Sequence, residues 1–402
     1  MSSAEPSILA INGGSSSIKF ACFAMSAAPH RIYGGSIDGI GRPDAVMQVA
    51  GAAPHDAMTV HVAAADRATV VKTLVDWITT HHADDALTAI GHRVVHGGPL
   101  YADPQLVTPD MIDELRRITP FDPQHLTEEL ALIEAFQQHL PGLPQVACFD
   151  TAFHHHMPRV AQIVPIPRRY EAQGVRRYGF HGLSYEFIRD ELERRAGAIS
   201  AQGKVIIAHL GNGASLVAMH HGKSVDTSMG FTPASGIPMG SRSGDLDPGL
   251  FRFLTVTGGL NAQQFDHMVN YESGMIGVSE TSSDMRDLLR RESTDVRAAE
   301  AVALFCYQVK QRIGAFSATL GGVDTLIFTG GIGEHAAVIR ERICEGLQFL
   351  GIAINQQRNI AHDDVISADG SRVSVRVIPT DEERMIAILV GQKLHLIGQP
   401  GI

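Results

Sequence analysis

The sequence is poor in cysteine, and the few cysteines it has do not form a structural framework. Four occur in 402 residues, at positions 22, 148, 306 and 344, with no close pair. Disulfide-rich domains and zinc sites need cysteines at short, regular spacings. Scattered cysteines are instead typical of reduced thiols in the cytosol. We therefore expect a cytoplasmic protein that does not depend on disulfide bonds.

Long apolar runs and an excess of basic charge are also missing. No apolar run approaches the ~20 residues that cross a bilayer. Residues 1–6 lack the basic segment and following apolar core of a secretory signal, so we do not expect one. The formal net charge is −10, from 33 Lys and Arg against 43 Asp and Glu. An acidic chain offers no general basic face for displacing the counterions of nucleic acid. We therefore expect neither a membrane partner nor a nucleic-acid partner.

What the chain does have is length and an ordinary globular composition. Apolar residues make up 44% of it and charged residues 19%, as in a typical soluble domain. A single hydrophobic core stops growing at about 250–300 residues, so 402 residues predict two domains.

Strand and helix patterns alternate along the chain, which indicates α/β architecture. We predict strands at 7–12, 18–25, 31–38, 59–63, 87–95, 146–150, 204–210, 214–220, 324–329 and 373–378. We predict helices at 66–81, 109–118, 124–139, 248–257, 262–270, 283–291, 295–320, 334–350 and 381–396.

One short pattern occurs twice, about half a chain apart. Residues 10–16 read AINGGSS and residues 209–215 read HLGNGAS. Each is the end of a strand, a Gly/Asn turn and a small hydroxyl residue before a returning strand. Asn-Gly hairpins are common, but the spacing favours a duplication. We expect two α/β domains with mixed sheets and a cleft between them.

Three glycine-rich turns follow predicted strands, at 12–17, 211–213 and 330–333. Backbone N–H groups in such turns can bind phosphate, although each of them can equally be only a tight turn. None ends in the Gly-Lys-Ser/Thr of a Walker loop. Lys19, on the strand after the first turn, is placed to reach a phosphate or is simply solvated.

Several polar side chains occupy positions that either a catalytic role or a structural role would explain. Arg93 ends an apolar strand and Arg242 lies in a Gly/Ser loop, so each either binds an anion or forms an ion pair. Asp150 follows an apolar strand, a frequent position for metal or substrate groups. His181 lies between glycines, and Glu382 opens the last helix as a magnesium ligand or a capping acid.

Three consecutive histidines at 154–156 resemble a metal site at first sight. Adjacent side chains diverge on both helices and strands, so three in a row rarely converge on one ion. We interpret them as solvated surface.

Together these pieces resemble the acetate kinase family, within the acetate and sugar kinase/Hsp70/actin superfamily. The resemblance runs from Ile8 to about Ala387. The motifs that carry it are residues 12–19, 91–98, 149–154, 177–182, 209–215, 225–248 and 378–383.

The resemblance implies the fold and the reaction. The fold would be two ribonuclease-H-like (actin-like ATPase) domains with an active-site cleft between them, at residues 1–150 plus 387–402 and at residues 151–386. The reaction would be reversible phosphorylation of acetate, or a similar short-chain carboxylate, by ATP to give ADP and acetyl phosphate. The family also implies Mg²⁺, or Mn²⁺ in its place, and a homodimer.

The resemblance also implies a role for each matching residue. Those implied to be catalytic are Asp150, Arg93, Arg242 and His181. Those implied to bind phosphate or nucleotide are Ser15, Ser17, Lys19, His209, Gly211, Asn212, Gly213, Asp284, Arg286, Gly331, Ile332 and Gly333. Those implied for the substrate acid are Arg93, Val95 and Pro233, and those for the metal are Asn12 and Glu382.

The chain departs from the family's usual pattern around the acid. Pro99 stands where glutamate is usual, and Phe121 where a leucine of the acyl pocket is expected. Leu183 and Tyr185 replace the common threonine and histidine. The runner-up is therefore a propionate or other short-chain acyl kinase. Further alternatives are a sugar kinase, in which Asp150 would be a general base, and an Hsp70- or actin-like ATP-binding module.

Overall fold

The computed structural model describes residues 5–14, 17–26, 29–41, 45–51, 57–62, 67–81 and 87–397. The chain divides into two compact units: the first runs up to Ala152 and resumes at Asp381, and the second is Phe153–Thr380. The boundaries predicted from sequence, at 150/151 and 386/387, stay a prediction.

The first unit is built on a mixed sheet. Its strands are β1 (Ser7–Gly13), β2 (Ser17–Ala24), β3 (His30–Asp38), β4 (Val46–Gly51), β5 (Met58–His61), β6 (Leu87–Val94), β7 (Gln105–Leu106) and β8 (Gln145–Phe149), in the order β5-β4-β3-β2-β1-β6-β8-β7. Strands β1 to β5 pair antiparallel, whereas β1 with β6 and β6 with β8 pair parallel. The predicted hairpin of β1 and β2 is confirmed.

The second unit repeats the central part of this sheet. Its strands are β9 (Val205–Leu210), β10 (Ala214–His220), β11 (Lys223–Thr227), β12 (Thr325–Thr329) and β13 (Ser374–Val377), in the order β11-β10-β9-β12-β13. The first three pair antiparallel and the last three parallel, as β3-β2-β1-β6-β8 do in the first unit. The predicted α/β class, mixed sheets and duplication are therefore confirmed.

Helices cover the sheets. They are α1 (Arg67–His81), α2 (Pro109–Arg117), α3 (Pro123–His139), α4 (Arg159–Gln162), α5 (Gly182–Ala196), α6 (Ala198–Gln202), α7 (Gly249–Thr257), α8 (Ala262–Tyr271), α9 (Gly274–Ser279), α10 (Met285–Arg291), α11 (Val296–Leu320), α12 (Gly330–His335), α13 (Ala337–Cys344), α14 (Gln356–Ile360) and α15 (Glu382–Lys393). Among the described residues, no helix has the length and apolar character needed to span a membrane.

Local sequence explains where the helices near the candidate site begin. Asp122 accepts a hydrogen bond from the backbone of His125 and Pro123 occupies the first position, so α3 has both a cap and a fixed φ. Asp381 caps α15 in the same way. Gly91 on β6 lies under α15: a Cβ there would be 2.5 Å from Ile386 Cγ2. This close approach lets α15 pack flat on the sheet.

Two sequence predictions are wrong. The helix predicted at 334–350 begins earlier, because Gly330–Gly333 is its first turn rather than a loop. It breaks at Ala336, and α13 ends at Cys344, before the left-handed Gly346. The histidine run at 154–156 is not all surface: His154 is buried and hydrogen-bonds Ser224 Oγ and the carbonyl of Phe180.

Candidate active site

The first unit gathers predicted site residues at one edge of its sheet. Strands β1, β6 and β8 run parallel, so their carboxyl ends meet at the same edge. Asn12 is near the end of β1, Arg93 near the end of β6, and Asp150 directly after β8. This is the edge at which open α/β sheets bind ligands.

Arg93 and Asp150 form a buried ion pair. Arg93 Nη2 and Nε lie 2.5 Å and 3.0 Å from the same oxygen, Oδ2 of Asp150. The arginine side chain is 15% exposed and the aspartate 0%. Among the described residues, the other aspartate oxygen, Oδ1, has no hydrogen-bond partner although it is buried. The ion pair therefore leaves one carboxylate oxygen available for a ligand.

Asn12 connects this pair to the start of α15. Its Nδ2 donates to Glu382 Oε2 at 2.9 Å and to Glu383 Oε1 at 3.0 Å. Burial raises the pKa of both glutamates above its ordinary value. Burial lowers the pKa of Arg93, but the nearby carboxylates, Asp150 first, outweigh it and raise that pKa. The arginine is therefore charged at any physiological pH.

The donor set here suits a hard, hydrated cation. Within the residues described, no group of three or more His, Cys, Asp or Glu is arranged to hold a metal ion by itself. Mg²⁺ commonly uses one or two carboxylates and keeps several waters. Asp150 Oδ1, which has no hydrogen-bond partner among the described residues, and the Glu382 carboxylate beside Asn12 are oxygen donors of that kind. The residues present fit such an ion.

Glu129 is a site neighbour that sequence reasoning missed. It lies on α3, is 3% exposed, and accepts the backbone N–H of Val95 at 2.9 Å through Oε2. Its Oε1 is buried without a hydrogen-bond partner among the described residues. Leu126, Leu130 and Ile133, its neighbours at helical spacing, are all buried, so an acid on this apolar stripe was the available signal.

Glu129→Gln is expected to make stability less dependent on pH. Burial raises the pKa of Glu129 well above its usual value. The folded carboxyl thus binds its proton more tightly than the unfolded one, whose pKa is about 4.3. Glu129 therefore contributes stability that is fully present below the pKa of the unfolded chain. This contribution is lost as the pH rises through the pKa of Glu129 in the folded chain. Glutamine keeps an acceptor for the Val95 amide and does not titrate.

Urea unfolding of both proteins between pH 4 and 7 tests this. The stability of Glu129→Gln relative to the natural chain should increase with pH, by up to about 1.4 kcal/mol per pH unit. Glu134→Gln, at a more exposed glutamate on the same helix (37% exposed), is the matched control. A relative stability that does not change with pH would contradict the prediction.

In the second unit, two histidine rings stack beside the repeated turn. His181 precedes α5 in a left-handed conformation, with φ 60°. Its ring stacks on that of His209, with centroids 4.3 Å apart and planes inclined by 20°. The Nδ1 of His181 hydrogen-bonds Ser215 Oγ at 2.9 Å, and the Nδ1 of His209 hydrogen-bonds Ser184 Oγ at 2.8 Å.

His181 and Arg242 converge on Gly213. A Cβ at position 213 would lie 3.3 Å from His181 Nε2 and 3.8 Å from Arg242 Nη1. The same Nη1 donates to the carbonyl of Pro233 at 3.3 Å. The turn, both side chains and Pro233, all predicted site residues, therefore lie together. Glycine at 213 leaves open a small space, the Gly213 space, with His181 Nε2 and Arg242 Nη1 at its edge.

The loop that carries Arg242 packs closely against Gly274. This glycine has φ +61°, and a Cβ there would be 2.3 Å from the carbonyl oxygen of Met239 and 2.5 Å from that of Arg242. Backbone bonds from Ser273 to Ser241 and from Met275 to Met239 fasten the same loop. Only glycine permits this approach, which gives Arg242 a rigid base.

Next to this cluster is an open pocket of about 720 Å³. A volume of this size suits a nucleotide-sized ligand. Predicted residues that line it are Gly211, Asn212, Asp284, Arg286, Gly331 and Ile332. Sequence reasoning missed its apolar walls, Met285, Leu289 and Val338. The first two are four residues apart on α10, a spacing that could have revealed them.

The remaining predicted residues are less well placed. Ser15 lies outside the described residues. Ser17 and Lys19 lie on β2, the lysine exposed. Gly333 is buried and is not among the residues that line the pocket; its carbonyl accepts a hydrogen bond from Arg340. Val95 is buried beside Arg93, with its amide on Glu129.

Two repeats of this mixed sheet, each with a glycine turn between its first two strands, define a duplicated fold of the actin-like ATPase class. Arginines, stacked histidines and a nucleotide-sized pocket suit a phosphotransferase. The model of one family, the Acetokinase family, matches residues 7–388. The chain belongs to this family.

Relatives of known name agree. The chain is 45% identical over 387 residues to the acetate kinase of Rhodopseudomonas palustris, covering 94% of this chain and 96% of that one. Among solved structures, a propionate kinase from Francisella tularensis superposes with a TM-score of 0.89 at 32% identity, covering 96% and 98% of the two chains. The Porphyromonas gingivalis acetate kinase superposes with a TM-score of 0.85 at 34% identity, covering 95% and 98%.

Proposed function

We propose that this chain transfers the γ-phosphoryl group of ATP to acetate, reversibly, giving ADP and acetyl phosphate. The carboxylate oxygen of acetate forms the new P–O bond as the bond to the ADP oxygen breaks. The observation that carries the proposal is the convergence of His181 Nε2 and Arg242 Nη1 on Gly213, next to the 720 Å³ pocket. The family match and the named relatives support it.

The chemistry explains why such a site needs cations more than a base. A short-chain carboxylic acid has a pKa near that of Asp or Glu, so it is already ionised at neutral pH. The difficulty is to bring one anion to another. At ~4 Å and an effective dielectric constant of ~20, two unit charges repel by about 4 kcal/mol. Arginines and fixed N–H donors offset this repulsion and stabilise the transferring group.

The roles divide accordingly. Arg93, held by Asp150, binds the carboxylate of the acid, and Val95 and Pro233 contact its methyl group. Arg242 and His181 donate to the oxygens of the transferring phosphoryl group. The amides of Gly211–Gly213 bind the nucleotide phosphates, with Ser15, Ser17 and Lys19 as further phosphate contacts. The remaining pocket residues, with His209 and Gly333 near them, hold the rest of the nucleotide.

Asp150, Asn12 and Glu382 would hold Mg²⁺, or Mn²⁺, with its waters. A bound divalent ion would neutralise charge on the phosphates. Burial raises the pKa of Glu382, and a bound cation would lower it again, because a metal ion favours the ionised carboxylate.

Propionate is the second candidate acid, since one close structural relative is a propionate kinase. Phe121, expected in the acyl pocket, packs edge-on against His96 with ring centroids 5.5 Å apart. A phenylalanine in place of leucine leaves less room for a longer acid. We therefore propose acetate as the better substrate, although one methylene changes specificity only ~10–200-fold.

A hydroxamate assay tests the function. Each reaction contains the protein, ATP, Mg²⁺, hydroxylamine and one acceptor: acetate, propionate, butyrate or glycerol. Hydroxamate from acetate, with kcat/KM above that for propionate, is the expected result. Faster reaction with propionate would make the chain a propionate kinase. Phosphorylation of glycerol, or ATP hydrolysis without any hydroxamate, would overturn the proposal in favour of a sugar kinase or an ATP-binding module.

We also propose that the chain is a cytoplasmic homodimer. Helices α7 and α8 contain no buried residue within one chain, yet short helices are marginal in water without packing. Phe253 is 60% exposed and Val256 72% exposed, and Phe251 stacks edge-on against Phe265 of α8 at 5.0 Å. A second copy of the same face would cover these side chains.

Phe253→Asp is expected to convert the dimer to a monomer, because a dimer would have to bury the new carboxylate without a partner. Light scattering after gel filtration measures the mass. Ile199→Asp, at an exposed apolar residue elsewhere in the second unit (92% exposed), should leave the dimer intact. A natural chain that runs as a monomer, or a Phe253→Asp variant that stays dimeric, would refute this interface.

A further inference from the structure

Behind His181 is a buried hydrogen-bonded chain that the proposed mechanism does not use. Ser215 Oγ bonds His181 Nδ1 on one side and the hydroxyl of Tyr185 on the other. Ser215 and Tyr185 are each 0% exposed. Tyr185 is also a position at which the chain departs from the usual histidine. A buried polar chain of this kind orients its members strongly, because in a low dielectric each hydrogen bond matters more.

The serine hydroxyl has a single proton, so it can donate to only one of its two neighbours. If Tyr185 donates to Ser215, Ser215 donates to Nδ1 of His181, and the proton of the neutral ring is on Nε2. If the chain runs the other way, Nε2 is bare. Nε2 is the atom that faces the Gly213 space beside Arg242 Nη1. An anionic phosphoryl group there requires a donor, which selects the first direction.

The ring also needs a tether for a conformational reason. His181 has φ 60°, a region in which a non-glycine residue costs of order 1 kcal/mol or more and is kept only when its surroundings impose it. The stacked partner is tethered in a parallel way: Ser184 Oγ bonds both His209 Nδ1 at 2.8 Å and Thr380 Oγ1 at 2.9 Å. Each histidine therefore has a serine hydroxyl at its Nδ1. The second partner of Ser215 is the Tyr185 hydroxyl, whereas that of Ser184 is the Thr380 hydroxyl.

We infer that Tyr185 is a positioning residue that acts through Ser215 to hold the His181 ring in place with the proton on Nε2. The inference rests on the proposed phosphoryl transfer for its meaning, but the hydrogen-bonded chain itself can be tested without any turnover. Tyr185 would contact neither substrate nor nucleotide. It would instead decide whether His181 presents a donor or an acceptor to the phosphoryl group.

Tyr185→Phe removes the hydroxyl and keeps the ring. We expect kcat for acetyl phosphate synthesis to fall about tenfold, less than the 10²–10³-fold typical of losing a direct donor, with KM for ATP and for acetate within about twofold. Ser215→Ala should lower kcat at least as much. Because Tyr185 acts through Ser215, the double variant should be no slower than Ser215→Ala alone. Tyr178→Phe, which loses a hydroxyl bond to the Gly174 carbonyl instead, should keep kcat within about twofold.

The tautomer is read by ¹⁵N NMR of the histidine rings, with the His181 signals identified by their loss in His181→Gln. The natural chain should show the Nε2–H tautomer, and Tyr185→Phe and Ser215→Ala a shift toward a mixture. The inference is overturned if the tautomer of the natural chain is Nδ1–H, if Tyr185→Phe leaves it unchanged, or if the kinetic losses multiply in the double variant. If the natural chain makes no hydroxamate, the proposed function fails, while the NMR result still decides the tether.

Discussion

Arg242→Ala is expected to lower kcat for acetyl phosphate synthesis by about 10³-fold or more, the scale of an arginine finger, and to leave the chain folded. Arg242 Nη1 lies at the edge of the Gly213 space and donates a hydrogen bond to the carbonyl of Pro233. Its loop is fastened by backbone bonds and by the close approach of Gly274, none of which the substitution removes. The loss should therefore be one of transition-state stabilisation rather than of structure.

The measurement is kcat and KM in the hydroxamate assay, with circular dichroism to confirm folding. Arg194→Ala is the matched control, since this arginine is 66% exposed and pairs with Glu191 one turn away. It should retain nearly full activity. A loss below about tenfold for Arg242→Ala would show that Arg242 does not serve the phosphoryl group. Arg242→Lys should recover little, because lysine lacks the planar pair of donors.

Asp150→Ala is expected to damage both activity and stability. It leaves Arg93, which is 15% exposed, without the carboxylate that lies 2.5 Å from its Nη2. Breaking a buried pair in this way typically destabilises by about 3–5 kcal/mol, because the remaining charge is uncompensated. Activity should fall to background, since the carboxylate proposed to hold the metal waters is gone.

A double variant separates the two effects. Arg93→Met combined with Asp150→Ala removes both charges, so urea unfolding should show much of the lost stability restored, while hydroxamate formation stays absent. Asp113→Ala, in an ion pair between side chains 56% and 73% exposed, is the control and should change stability by less than about 1 kcal/mol. A double variant no more stable than Asp150→Ala would mean that the buried charge was not the cause.

Sequence reasoning succeeded where local pattern decides structure. The apolar run of β1 and the Asn-Gly turns predicted both hairpins, because each depends on residues a few positions apart. The glycines of residues 330–333 misled it, since glycine favours a loop locally. In the structure the left-handed Gly330 instead begins α12 against the Leu210 backbone. Helix α5 was missed because its early turns are buried on several sides and show no clear apolar stripe.

The candidate site follows the same division. Arg93, Asp150 and Glu382 were predicted because each ends or begins an element whose motif resembles a known family. The pairing of Arg93 with one oxygen of Asp150, and the burial of Glu129 behind Val95, depend on contacts between strands and helices far apart in the chain. Such contacts are set by packing, which a single sequence does not contain.

The return of the chain to its first unit has a consequence for biosynthesis. Glu382 and its partner Asn12 are 370 positions apart, and the whole second unit lies between them in the order of synthesis. A ribosome therefore releases the second unit before the first can receive α15. Until then, Gly91 and its neighbours on β6 lack the helix that covers them. The sheet of the first unit should hence stay incompletely covered until synthesis is almost finished, and a chain that ends before residue 381 should lack the Asn12–Glu382 hydrogen bond.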